Sequence, residues 1–170
     1  MEFKVTDWLA MYAAVVSTLV FYWNIKQSKA KIKVNILPGF ETIDGISTSG
    51  YFIIVRNVSS QVVPIGSIEL LHQYERTSAL GHLKHLVKYR RLSQSIGWVH
   101  HPLSHFKVDT KCPIQLEPRA SHKVIVDFDT VENILGESSY RLIKASVQDQ
   151  LWNNYFSKAI KATELTSKSA

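Results

Sequence analysis

One cysteine, Cys112, in 170 residues excludes an intramolecular disulfide framework and suits a reducing cytoplasm. Beside Pro113, at what reads as the start of a strand, Cys112 is a small buried hydrophobe before it is a nucleophile. Glycine is also sparse: Gly39, Gly45, Gly50, Gly66, Gly81, Gly97 and Gly136 are too scattered to cradle a phosphate. No GKS/T, GxSxG, HExxH or CxxC occurs, so nucleotide hydrolysis, serine-elbow hydrolysis and the common zinc chemistries have no motif. Asp127 and Asp129, two apart, would share a strand face, and a solvated edge is the simpler use for them. The chain reads as a non-enzyme without cofactors.

A third absence is charge between Asp7 and Lys26. The run 8–25, WLAMYAAVVSTLVFYWNI, is apolar on all helical faces and would cover roughly 27 Å as a helix, within reach of a bilayer core. Trp8, Tyr12, Tyr22 and Trp23 place amphipathic rings near both edges, as interface anchors do. Behind the run come Lys26, Lys29, Lys31 and Lys33 with no acid among them, while Lys4 ahead of it is offset by Glu2 and Asp7. The positive-inside rule then predicts a single-pass membrane protein, with residues 1–7 outside and the rest cytoplasmic. A cleaved signal peptide is the rival reading, with Ser28-Lys29-Ala30 as small residues at a cleavage site. The neutral start and basic exit are the reverse of what export uses. Ala10 with Ala14, and Ala13 with Ser17, give the small-residue spacing through which two such helices could form a homodimer.

After a basic linker, 26–30, residues 31–162 suffice for one domain with its own core. Ile32, Val34 and Ile36 alternate with Lys31, Lys33 and Asn35 in a half-buried strand that Pro38-Gly39 is expected to stop. Beyond a polar loop, Tyr51 to Val55 reads as a second strand, and a third is expected to begin after Pro64. Pro113 to Leu116 is a short apolar piece, and Val124, Val126 and Phe128 alternate in the next strand. Val131, Ile134 and Leu135 have the spacing of a short helical turn. Residues 140–147 and 154–161 flank turn residues that include Asp149, which predicts a hairpin, and 163–170 reads as a frayed tail.

About seven short strands without strand–helix alternation predict a mainly β chain, a β-sandwich carried on the N-terminal transmembrane helix. Five stretches follow one another in a familiar order. They are Arg56-Asn57-Val58-Ser59-Ser60, Val63-Pro64-Ile65, Ile114 to Pro118, His122 to Phe128 and Ser146-Val147-Gln148-Asp149. That order resembles immunoglobulin-like domains, and more closely small bacterial and phage membrane-anchored proteins in which one N-terminal transmembrane helix carries such a sandwich. Where those proteins commonly place Gly after the hairpin Asp, this chain has Leu151-Trp152, which predicts a longer turn. The resemblance implies a binding or adaptor module that recruits or blocks a protein partner near the membrane, as a phage-defence or superinfection-exclusion accessory would.

Residues 72–107 do not fit a minimal sandwich. They hold Arg76, Lys84, Lys88, Arg90, Arg91 and Lys107 against Glu75 alone, hence five of the chain's six net positive charges, and six of its seven histidines. Leu80, Leu83, Leu86 and Val87 fit a basic amphipathic helix, and Leu83, His85, Val87 and Tyr89 fit a strand equally well. Partner contacts are expected from Arg90, Arg91, Trp98, His100 and His101, because Arg and Trp anchors dominate interfaces. One alternative is nucleic acid, gripped by the same cations with Tyr74, Tyr89 or Trp98 stacking, though no recognised module is present. The other is a metal-dependent enzyme using His82, His85, His101 and His105. Pro102 argues against a regular helix through the last two.

Overall fold

The computed structural model describes residues 4–43, 46–76, 78, 87, 90, 95–136 and 138–162. Helix α1 (Val5–Ser28) is 24 residues long, or about 36 Å, against roughly 30 Å of bilayer hydrocarbon. It extends past the apolar run at both ends. Asp7 accepts the backbone N–H of Lys4 and closes the first turn, while Lys26 lies in the last turn, where a cation favours the helix dipole. No described side chain of 5–27 is buried, so the apolar surface lies bare around the whole circumference. The one hydroxyl mid-helix whose bond is resolved, that of Thr18, donates to the carbonyl of Ala14 and needs no water.

Three residues after α1 the chain enters strand β1 (Ile32–Ile43), which pairs antiparallel with β2 (Ile46–Asn57) along its whole length. Pro38-Gly39 does not stop β1, contrary to expectation. β1 is an edge strand, where a missing N–H is tolerated, and Gly39 leaves room for the Phe52 ring, which lies 2.4 Å from where a Cβ would stand. β2 in turn pairs with β6 (Ser121–Asp127) to complete a three-stranded sheet, order β1-β2-β6.

The second sheet is built on β3 (Val63–Gln73), which starts at Val63, so Pro64 lies inside it opposite Gln115. β3 pairs with β4 (Trp98–Pro102), β5 (Ile114–Leu116) and β7 (Leu142–Asp149), and β7 pairs with β8 (Asn154–Phe156) and β9 (Ile160–Lys161). The expected insert is therefore shorter than 72–107: its first two residues end β3, and its last part supplies β4 and a 3-10 turn (Leu103–Phe106). Residues 79–86, 88–89 and 91–94, with the helix-or-strand alternatives read there, lie outside the described residues, as does 163–170. The short helix is present as α2 (Phe128–Leu135), with Val131, Ile134 and Leu135 buried as the spacing predicts.

The core forms where the inward faces meet. Val34, Ile36, Ile53, Val55, Val124 and Val126 from the first sheet join Ile65, Ile68, Leu70, Ile143 and Val147 from the second, closed by α2. At the end nearest α1 the sheets are joined by one side chain, Asn57, only 1% exposed. Its Nδ2 donates to the carbonyls of Gln61, Leu116 and Glu117 at 2.6, 2.8 and 3.2 Å, and its Oδ1 accepts from the backbone N–H and hydroxyl of Ser59. Replacing Asn57 by Ala strands several buried groups at once, so the denaturant midpoint of the full chain in detergent should fall by the equivalent of about 3 kcal/mol or more. Asn57→Asp should cost a similar amount, because a carboxylate cannot donate to three carbonyls.

Candidate functional site

The residues read as membrane anchors and as the basic collar lie on and just after α1. Trp8, Tyr12, Tyr22 and Trp23 are each more than three-fifths exposed on α1. Lys26, Lys29, Lys31 and Lys33 are exposed and lie between the last helical turn and the first residues of β1, with Arg56 opposite Lys33 adding a further cation. Only Lys29, Ala30 and Lys31 separate helix from strand.

The predicted partner-binding residues converge only in part. Trp98, His100 and His101 lie on β4, at the edge of the second sheet, and each is engaged within the fold. The Trp98 ring lies over the Lys144 ammonium at 4.1 Å, with Phe156 on the same ammonium at 4.9 Å, and burial pushes this lysine down to about 8. His100 Nδ1 meets the Glu69 carboxylate at 2.7 Å. His101 Nε2 lies 2.8 Å from His72 Nδ1, so one ring of that pair donates and the other accepts. Arg90 is exposed with φ 51°, and Arg91 lies outside the described residues.

Of the metal candidates, His82 and His85 also lie outside the described residues, while His105 is exposed on the 3-10 turn and His101 is paired with His72. Among the described residues no three His, Cys, Asp or Glu side chains converge as a metal site. Cys112 is half-buried against the core, and burial raises its thiol against the opposing hydrogen bond to Thr110. Asp127 ends β6 and caps α2, so it shares no strand with Asp129, which belongs to the helix.

A surface that the sequence reading missed lies on the outer face of the β1–β2 hairpin. Leu37, Pro38, Phe40, Phe52 and Ile54 line a shallow groove of about 340 Å³, bounded by the Lys123–Glu41 ion pair. Phe40 is 81% exposed and Leu37 53%. The signal was present in 51–55, YFIIV, an unbroken apolar run where a strand with one wet face should alternate. Compared with known protein families, curated proteins and solved structures, the chain matches none.

The histidine pair gives the β3–β4 edge a pH dependence. Burial lowers both imidazoles from 6.5, and His72 and His100 further repel a proton on His101. For a base whose folded pKa is depressed, the unfolded chain binds more protons below about 6.5, so folded stability declines as pH falls through that window. The melting temperature should therefore drop between neutral pH and about pH 5, and His101→Asn should flatten that slope. An unchanged slope in the variant would assign the acid sensitivity elsewhere.

Proposed function

We propose that the chain is a single-pass protein of a bacterial inner membrane whose immunoglobulin-like sandwich faces the cytoplasm and recruits or blocks a protein partner there. The observation that carries the reading is a bare apolar helix joined by three residues to a two-sheet body with an open apolar groove on its outer face. Lys26 in the last turn of α1, with Lys29, Lys31 and Lys33 after it, favours retention of the domain on the cytoplasmic side. Two antiparallel sheets with edge strands are the architecture on which immunoglobulin-like modules present loops, edges and faces to other chains. At the β3–β4 edge His72 pairs with His101 and Glu69 with His100, so the groove is the surface on which this binding reading rests. Ala10–Ala14 and Ala13–Ser17 remain the seam through which two copies of α1 would pack.

The groove is the preferred docking face, since Leu37 and Phe40 are exposed and bear no core load. Cross-linking in native membranes followed by affinity recovery should yield one defined protein. The Leu37→Glu/Phe40→Glu double variant should lose it while keeping the parent melting temperature. Substituting His100 and His101 should leave recovery intact. Recovery unaffected by the groove variant would move the interface to another face, and recovery of lipid alone would leave no adaptor role.

A further inference from the structure

The end of the two-sheet body that α1 enters is closed by three turns. Residues 58–62 lead from β2 to β3, 117–120 from β5 to β6, and 150–153 from β7 to β8. Their common level follows from the pairing: Ile32 opposes Asn57, Val63 opposes Leu116, Ile65 opposes Asp149, and Gln150 N–H donates to the carbonyl of Pro64. The last of these turns carries Leu151 and Trp152, 78% and 79% exposed, while Val58 and Val62 stand nearly half exposed on the first.

The 150–153 turn is held rigidly. The Asp149 carboxylate accepts from Leu151 N–H, Asn153 N–H, Asn153 Nδ2 and the Tyr155 hydroxyl, and these bonds keep it ionised below the usual range although burial opposes ionisation. Trp152 sits at φ 65°, a left-handed conformation in which a simple chain reversal uses Gly or Asn. A strained turn that displays two large apolar side chains to water needs an apolar environment to explain it. Beside the same end, Gln27, Lys31, Val58, Ser59, Ser60 and Arg119 enclose a cavity of about 260 Å³ with two cations and two serines on its wall.

We propose that this end is a second membrane contact: Leu151 and Trp152 seat in the headgroup layer of the bilayer that holds α1, and Lys31 and Arg119 bind the phosphate of an anionic lipid. The inference rests on α1 spanning a bilayer. Three connecting residues reach at most about 10 Å, so the closed end is held at the membrane surface and leaves no room there for a folded partner. Indole and leucine side chains favour that layer, and the cations of Lys26, Lys29, Lys31, Lys33, Arg56 and Arg119 complement anionic headgroups. The turn makes the domain a body docked on the membrane instead of one swinging from a stalk.

The test uses the full chain in vesicles, with Cys112→Ser removing the native thiol and an environment-sensitive fluorophore on Gln150→Cys, beside the apolar pair. A second probe at Tyr74→Cys reports the opposite end of the body, just past β3. In vesicles containing phosphatidylglycerol the Gln150→Cys probe should be blue-shifted and protected from aqueous iodide, while the Tyr74→Cys probe should be quenched in full. Leu151→Ser/Trp152→Ser should abolish the protection. Lys31→Gln/Arg119→Gln should reduce it to the lower level found in pure phosphatidylcholine. Equal quenching of both probes in both lipids would overturn the proposal, and equal protection in both lipids would overturn the phosphate contact. Failure of the chain to float with vesicles after an alkaline wash would instead overturn the membrane span on which it rests.

Discussion

The Asn57 carboxamide is the constraint on which the half of this structure nearest α1 depends. It is the last residue of β2, opposite the first residue of β1, and it reaches across to the carbonyls of Leu116 and Glu117 near the β5–β6 turn. One side chain therefore joins the end of β2, in the first sheet, to β5 in the second. A buried amide that satisfies every donor and acceptor it has is strongly position-specific, because each bond left unmade would cost about 1–3 kcal/mol. Fixing that end fixes the exit of α1, the level of the 58–62 turn and the origin of β3.

Much of the fold was legible where local pattern and burial agree. Alternation in Ile32, Val34 and Ile36, and again in Val124 and Val126, identified inward faces correctly because each strand has one face on the core. The 140–161 hairpin and α2 were legible for similar reasons: turn residues at the right offset, and three apolar residues at helical spacing. Pro38-Gly39 and Pro64 misled because their meaning depends on neighbours far along the chain. A proline ends a central strand but is harmless on an edge, and whether β1 is an edge is decided by what fails to pair with it. The boundary of the insert was hidden likewise, since His72 opposes Val99 across an excursion that no local signal spans.

The candidate site was harder to read than the fold. Histidines and cations counted along 72–107 look like an exposed basic patch, but composition cannot say which of them face each other. Trp98 read as an interface anchor, and the fold uses its ring to cover the ammonium of Lys144, a lysine in the middle of a buried strand. His100 and His101 alternate on β4 and so take different partners, Glu69 and His72. The apolar groove was overlooked for the opposite reason: 51–55 reads as a strand, and an unbroken apolar run does not say which of its residues face away from the core.

The groove stands at a set level along the β1–β2 hairpin, in the sheet that does not carry the β3–β4 edge. At about 3.3 Å per residue, Leu37 stands roughly 17 Å along β1 from Ile32, and the hairpin tip at Ile43 roughly 36 Å. With the closed end resting on a bilayer, the groove would be carried at a set distance above the headgroups, beyond the lysine collar and clear of lipid. A flexible stalk would let that groove sample many heights and orientations, at an entropic cost to every encounter with a membrane-bound partner. On the proposed docking, a three-residue connection and a seated end would remove most of that freedom before binding. The partner that would gain from such an arrangement is one itself confined to the membrane, with its docking segment at the same height.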